Sequence, residues 1–226
     1  MSRNEELDPT TSWGVGAYTD PSGALRSYEA TIGEQGAASD FAARRLARHD
    51  VRPGNFALLV SDRHEAVQAV PFCDVLTAEG AIVAVATPGA FGGSQLQLYV
   101  EDFDVAVVVG MDQAMAGALD DATIERLEKR STVFARPDAV ATLRDRGVGA
   151  LSIAFVGPMV ALECEQHAGA HFDGRAWRVD DSGDRLVVSS LLNSRASDGV
   201  QTDTRGTVET GPCACGGDDP RIVFVS

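Results

Sequence analysis

The feature that most constrains the fold is an alternation of strand-length apolar runs with helical segments. The runs are residues 56–60, 81–86, 105–109, 132–134 and 151–155. Nearly every residue in them is apolar, as in strands buried on both faces, whereas a half-exposed strand alternates apolar with polar residues. Between them, residues 36–49, 65–76, 94–99, 113–129 and 137–146 read as helices, with Ser94 as an N-cap. In the first helix Ala38, Phe41, Ala42 and Leu46 form an apolar stripe, and Arg44, Arg45 and Arg48 a polar face. Strand–helix repetition of this kind predicts an α/β fold with a parallel sheet covered by helices.

The pattern changes after Gly157-Pro158. Residues 159–162, 172–179, 185–192 and 222–225 are strand-like pieces separated by Gly/Asp turns. Two subdomains are therefore expected: an α/β one over residues 1–156 and a smaller β-rich one over 157–226. The second holds a cluster of metal-type side chains: Cys164, His167 and His171, then Gly211-Pro212-Cys213-Ala214-Cys215-Gly216-Gly217. Cys164, His171, Cys213 and Cys215 are the three thiolates and one imidazole of a Cys3His site. C-x-C is tighter than the usual finger spacing, so spacing leaves two readings open. One is a zinc site that staples a small sheet; the other is reduced cysteines in a turn and a strand, with surface histidines.

A formal charge of −14 argues against unaided binding to nucleic acid or an anionic membrane, since neither polyanion attracts such a surface. Met1-Ser2-Arg3-Asn4-Glu5-Glu6 has no apolar run behind it, and no window is long and apolar enough to span a bilayer. A cytoplasmic setting is expected, where cysteines favour metal over disulfides.

Several stretches resemble acyl-adenylate-forming enzymes. Leu46-Ala47-Arg48-His49-Asp50-Val51-Arg52-Pro53-Gly54-Asn55-Phe56 is similar to the helix, "GVRPGD" turn and strand of their large domain. Gly157-Pro158-Met159-Val160-Ala161-Leu162-Glu163-Cys164-Glu165 with Gly169-Ala170-His171 resembles the "GPGVAFECE…GLH" of phenylacetate–CoA ligases. Gly211-Pro212-Cys213-Ala214-Cys215-Gly216 followed by Pro220-Arg221-Ile222 resembles their "GPCPCG…RI". The resemblance implies a shortened adenylate-forming N-terminal domain without the mobile C-terminal domain. It places the same four residues, Cys164, His171, Cys213 and Cys215, in a closed structural zinc site. His167 and Cys73 match no motif of the family.

The departures from the family bear on function. Its phosphate loop is rich in Ser, Thr and Gly and ends in Lys, but the only counterpart is Asp20-Pro21-Ser22-Gly23-Ala24-Leu25-Arg26, which reads as an ordinary turn. The magnesium-supporting Glu of "YG-x-(S/T)-E" falls on Ala154, and the ribose-binding "TGD" on Thr202-Asp203-Thr204. Lys129 is the only lysine, on an expected surface helix. Neither ATP nor magnesium is therefore expected. The surviving pocket would lie at Ala154, Phe155, Gly157 and Pro158, an apolar stretch suited to a flat aromatic or polyketide-like acyl ligand, as free acid or thioester. Two alternatives stand beside it: a repurposed cyclase, lyase or hydrolase, or a partner subunit of a larger ligase or synthase. Acid–base candidates are His49, His64, Glu163, Glu165 and His167, and none forms a recognisable triad. Glu163 and Glu165 flank Cys164 and suit an orienting role around the metal. A homodimer is expected because related enzymes often dimerise.

Overall fold

The computed structural model describes residues 8–192 and 197–225. The polar segment at residues 1–7 lies outside the described residues. The chain begins with a hairpin, β1 (Ser12–Thr19) and β2 (Leu25–Thr31), followed by α1 (Ile32–Leu46). Thr31 caps α1 in a capping box: its hydroxyl accepts from Glu34 N, and the Glu34 carboxylate accepts from Thr31 N. An α/β run follows: β3 (Phe56–Val60), α2 (Ala66–Ala78), β4 (Ile82–Ala86), α3 (Ala90–Asp102), β5 (Val105–Met111), α4 (Gln113–Ala118), α5 (Asp121–Arg130), β6 (Thr132–Ala135), α6 (Pro137–Asp145) and β7 (Leu151–Val156). The rest is strands: β8 (Met159–Glu163), β9 (Ala170–His171), β10 (Trp177–Asp180), β11 (Val187–Ser190), β12 (Val200–Gln201), β13 (Gly206–Glu209) and β14 (Arg221–Phe224).

Nine strands form one sheet in the order β13-β14-β9-β8-β7-β6-β5-β3-β4. The pairs from β4 to β7 are parallel, and those from β7 to β13 are antiparallel. The junction at 156/157 falls in the two-residue turn Gly157-Pro158, with Val156 opposite Met159 and Gly157 at φ +58°. The β-rich stretch thus continues the sheet of the α/β stretch, while β10, β11 and β12 form a separate three-stranded sheet.

Alternate residues of β3 enter different cores, as expected for a strand buried on both faces. Leu58 and Val60 pack with Leu96, Met115, Leu127 and Leu143 of α3–α6. Ala57 and Leu59 pack with Phe41 and Leu46 of α1 and Phe72 and Leu76 of α2. A third core, built on Met159, Phe172, Trp177, Leu186, Val188 and Ile222, joins the antiparallel strands to the small sheet.

Two helical readings are corrected. Ser94 does not cap a helix; α3 starts after Gly89 at φ +104°, and the Ser94 hydroxyl donates back to Ala90 O at 3.4 Å. The helix expected over 113–129 breaks at Leu119, because Asp120 takes an extended conformation and accepts from Thr123 N at 2.8 Å to start α5. Arg45, placed on a polar face, is 5% exposed.

Candidate metal centre and ligand cavity

The metal-type cluster is assembled by the antiparallel strands. Register sets Leu162 of β8 opposite His171 of β9, and His171 opposite Arg221 of β14. Cys164 therefore emerges just past the end of β8, beside His171. The loop between β13 and β14 folds back over this end as a knuckle, with Cys213 N donating to Gly217 O at 3.0 Å and Gly216 N to Cys213 O at 2.8 Å. Gly216 sits at φ +79°, which glycine adopts without strain.

One ligand atom from each of Cys164, His171, Cys213 and Cys215 lies within 4.8 Å of every other. The Cys164 and Cys213 sulfurs are 3.8 Å apart, and Cys215 Sγ is 3.7 Å from His171 Nε2. Zinc–sulfur bonds of about 2.3 Å in a tetrahedron place sulfurs about 3.8 Å apart, so the spacing fits such an ion. His171 Nδ1 lies 2.8 Å from the Asp219 carbonyl, so it carries the proton and leaves Nε2 for the cluster. Burial, and then the charge of Arg45, lower the His171 pKa and favour the neutral imidazole a metal requires. Burial pushes the Cys164 thiol up to about 11, a cost that a bound cation offsets.

The acid–base candidates fall into two separate carboxylate–histidine pairs, Glu163 with His167 (Oε1 to Nδ1 at 3.3 Å) and Glu165 with His49, while His64 stands apart. Glu163 Oε2 accepts from Arg144 Nη2 at 2.7 Å and from Ser152 N at 2.8 Å, and Arg144 also donates to His167 Nδ1 at 2.7 Å. His49 Nε2 faces Glu165 at 3.7 Å and its ring stands edge-on to Phe134. Cys73 lies in α2, packed against the core. Only His64 of this group lines a large cavity.

That cavity, about 460 Å³, opens at the carboxyl ends of the parallel strands, where open α/β sheets bind ligands. Strand order reverses between β3 and β5, and the loops after β3, β6 and β7 form the floor. Ala154, Phe155 and Gly157 line it, while Pro158 lines a smaller cavity with Tyr28, Gln68 and Trp177. The hairpin β1–β2 supplies Ala17, Tyr18 and Thr19, and the segment after β12 supplies Asp203 and Thr204.

The apolar character read from residues 152–158 does not extend to the whole cavity. Arg136 reaches across from the start of α6 to Glu65, with Nη1 to Oε1 at 2.5 Å and Nη2 to Oε2 at 2.6 Å. The guanidinium lies over the Phe155 ring at 4.9 Å, and its Nε donates to Gly110 O at 3.2 Å. Gly110 is at φ +94° in a bulge of β5, and a Cβ there would stand 2.3 Å from Val60 O. Gln68 Nε2 donates to Gly157 O at 2.7 Å, while its buried Oε1 has no partner among the described residues. Glu65, Gln68 and Arg136 carry no motif; their signal in sequence was only their position just after an apolar run.

The stretch matched to the phosphate loop is the β1–β2 turn. The Asp20 carboxylate is taken up by Ser22 N, Ser22 Oγ, Ala24 N and Arg26 Nε. The Ser22 and Ala24 amides are thus taken up by this carboxylate, and the Gly23 amide by the Asp20 carbonyl, rather than left to face a phosphate. Lys129 pairs with Glu125 on the exposed side of α5 and does not line the cavity.

No protein-family model and no curated protein matches the chain. Solved structures do. The chain matches 2-hydroxyisobutyryl-CoA ligase in complex with 2-HIB-AMP and CoA with a TM-score of 0.66 at 11% identity, over 96% of this chain and 57% of that one. The fold is that of the AMP-forming acyl-CoA ligases. The o-succinylbenzoate CoA synthetase of Bacillus subtilis matches at TM-score 0.61 and 10% identity, over 96% of this chain and 50% of that one. The N-terminal subdomain of Klebsiella oxytoca NpsA, in complex with 3-hydroxyanthranilyl-AMSN, matches at 0.57 and 12%, over 100% and 67%. The chain spans about half the length of the two CoA-forming ligases, 57% and 50%. Among the described residues no helix is long and apolar enough to cross a membrane.

Proposed function

We propose that this ligase-fold chain binds a small aromatic or polyketide-like acyl compound, as free acid or thioester, without adenylating it, in a cytoplasmic biosynthetic pathway. A structural zinc ion on Cys164, His171, Cys213 and Cys215 holds the other end of the sheet, where β8 runs out beside the start of β7. The observation that carries the reading is Ala154. It lines the cavity and is 5% exposed at the position where the resemblance expects the magnesium-supporting carboxylate. An alanine supplies van der Waals surface for an acyl group and no ligand for a metal–nucleotide complex. The Asp20 turn supports the same reading, because a carboxylate repels the phosphates that a loop of free amides would cradle.

A second reading, a repurposed enzyme, is favoured by His64, Asp138 and Asp203 on the cavity wall. These are groups able to move protons near a bound acyl chain. The test is a melting-temperature screen of zinc-loaded protein against MgATP, CoA, and aromatic and polyketide-like carboxylates and thioesters. A ligand at 100 times its Kd stabilises the native state by about 2.7 kcal/mol, or roughly 5–10 °C in a chain of this size. A rise with acyl compounds alone supports binding, and chromatography of the bound thioester then separates holding from turnover. A rise with MgATP returns the chain to ligase chemistry.

A further inference from the structure

The last turn of α1 carries Arg44 and Arg45, Arg48 follows just past its end, and this end of the helix packs on the cysteine knuckle. Arg44 donates to Asp173 at 3.1 Å and Arg48 to the Cys215 carbonyl at 2.7 Å. Arg45 differs from both. It is 5% exposed, its Nη2 is buried without a hydrogen-bond partner, and it forms no ion pair among the described residues. Its guanidinium carbon lies 5.8 Å from the Phe41 ring, and its Nη1 and Cys215 Sγ both stand 3.4 Å from the point where a Cβ on Gly217 would sit. Gly217 thus leaves the space through which this buried cation faces the cluster.

An unpaired buried charge is costly, so a compensating anion is required nearby. No carboxylate lies within ion-pair distance of Arg45 among the described residues, whereas Cys215 Sγ of the cluster borders the same space. A divalent ion held by three thiolates and a neutral imidazole carries one net negative charge, and one arginine balances it. We propose that Arg45 is a positioning residue that acts as the counter-charge of the metal centre, so that the site is electrically complete only when loaded. The inference rests on the metal reading above and adds to it an assignment for a residue outside the ligand set.

The test compares wild type with R45M, R45Q and R45K. Zinc affinity is measured by competition with a chromophoric chelator, and melting is followed for zinc-loaded and chelator-stripped protein. Loss of the charge in R45M and R45Q is expected to weaken zinc binding about 10–100-fold, the range typical of groups behind metal ligands, and R45K is expected to recover most of it. The loaded R45M and R45Q proteins should melt below loaded wild type, while the stripped forms melt at or above stripped wild type. R45Q guards against a misfolding R45M, since its polar head has some of the reach without the charge. Unchanged zinc affinity, with melting lowered equally in both states, would show that Arg45 only fills space and would overturn the proposal. Wild-type protein that binds no zinc would overturn the metal reading instead.

Discussion

Breaking the Glu65–Arg136 pair should be among the most damaging single changes near the cavity. The pair is bidentate, with side chains only 10% and 20% exposed, so neither charge is well hydrated once its partner is gone. The two sides differ in what remains. Without Arg136, Glu65 keeps only the Asp62 amide at 2.8 Å; without Glu65, Arg136 keeps Gly110 O and the Phe155 ring. Removing one partner of a buried pair costs about 3–5 kcal/mol, and the partial exposure favours the lower end. At about 3 kcal/mol the melting temperature of R136M falls by roughly 6–12 °C. E65Q should lose less, and E65Q/R136M less than the sum of the singles, because no uncompensated charge is left. The assay is thermal unfolding by circular dichroism over a pH series. Burial alone would raise the Glu65 pKa, but its bonds and attraction to Arg136 outweigh this and hold it below the ordinary 4.5. A lowered folded-state pKa means the contribution is full above the unfolded value and disappears as pH falls through the folded one. Wild type should therefore lose stability below about pH 4.5 more steeply than E65Q. A loss in R136M below about 2 °C, or parallel pH curves for wild type and E65Q, would refute the assignment of a net stabilising pair.

Further outcomes follow from the same geometry. Cys213→Ser should lose bound metal by elemental analysis and melt well below wild type, by more than the roughly 3 °C that 1 kcal/mol moves in a chain of this size. Gly110→Ala should destabilise by about 2–4 kcal/mol in urea titration, because it combines positive φ with a Cβ pressed on Val60 O. Ala154→Phe should abolish any acyl-induced rise in melting while leaving metal content at the wild-type level, since it fills the cavity and β8 carries Cys164 away to the other end of the sheet.

The layered half of the fold was legible because its strands are buried on both faces and write themselves as unbroken apolar runs. Phe56–Val60 is the plainest case, with alternate side chains serving two cores. Helix starts were less legible where packing overrode capping. In α3 the glycines matter more than Ser94, since a Cβ on Gly92 would stand 2.2 Å from Thr87 O. The continuity of the sheet through Gly157-Pro158 was hidden because a Gly-Pro pair reads as a boundary as readily as a tight hairpin turn, here joining β7 to β8. The pairing of β9 with β14 joins residues about 50 apart, and no local pattern encodes that. The four metal-type residues were visible as residue types in spaced motifs, and the structure brings them within 4.8 Å. Arg45 was not, because an arginine beside two others reads as a solvated face, and only its packing against the knuckle shows it to be buried. Glu65 and Arg136 lie 71 positions apart and become a pair only at the strand ends.

The most direct measurement of the central claim is isothermal titration of the zinc-loaded protein with the acyl thioester that raises its melting temperature most, beside an identical titration with MgATP. The account predicts saturable one-to-one heat for the thioester, lost in Ala154→Phe, and no saturable heat for MgATP. Saturable MgATP binding that survives chelation of trace metals other than magnesium, or thioester binding that Ala154→Phe leaves intact, would contradict it.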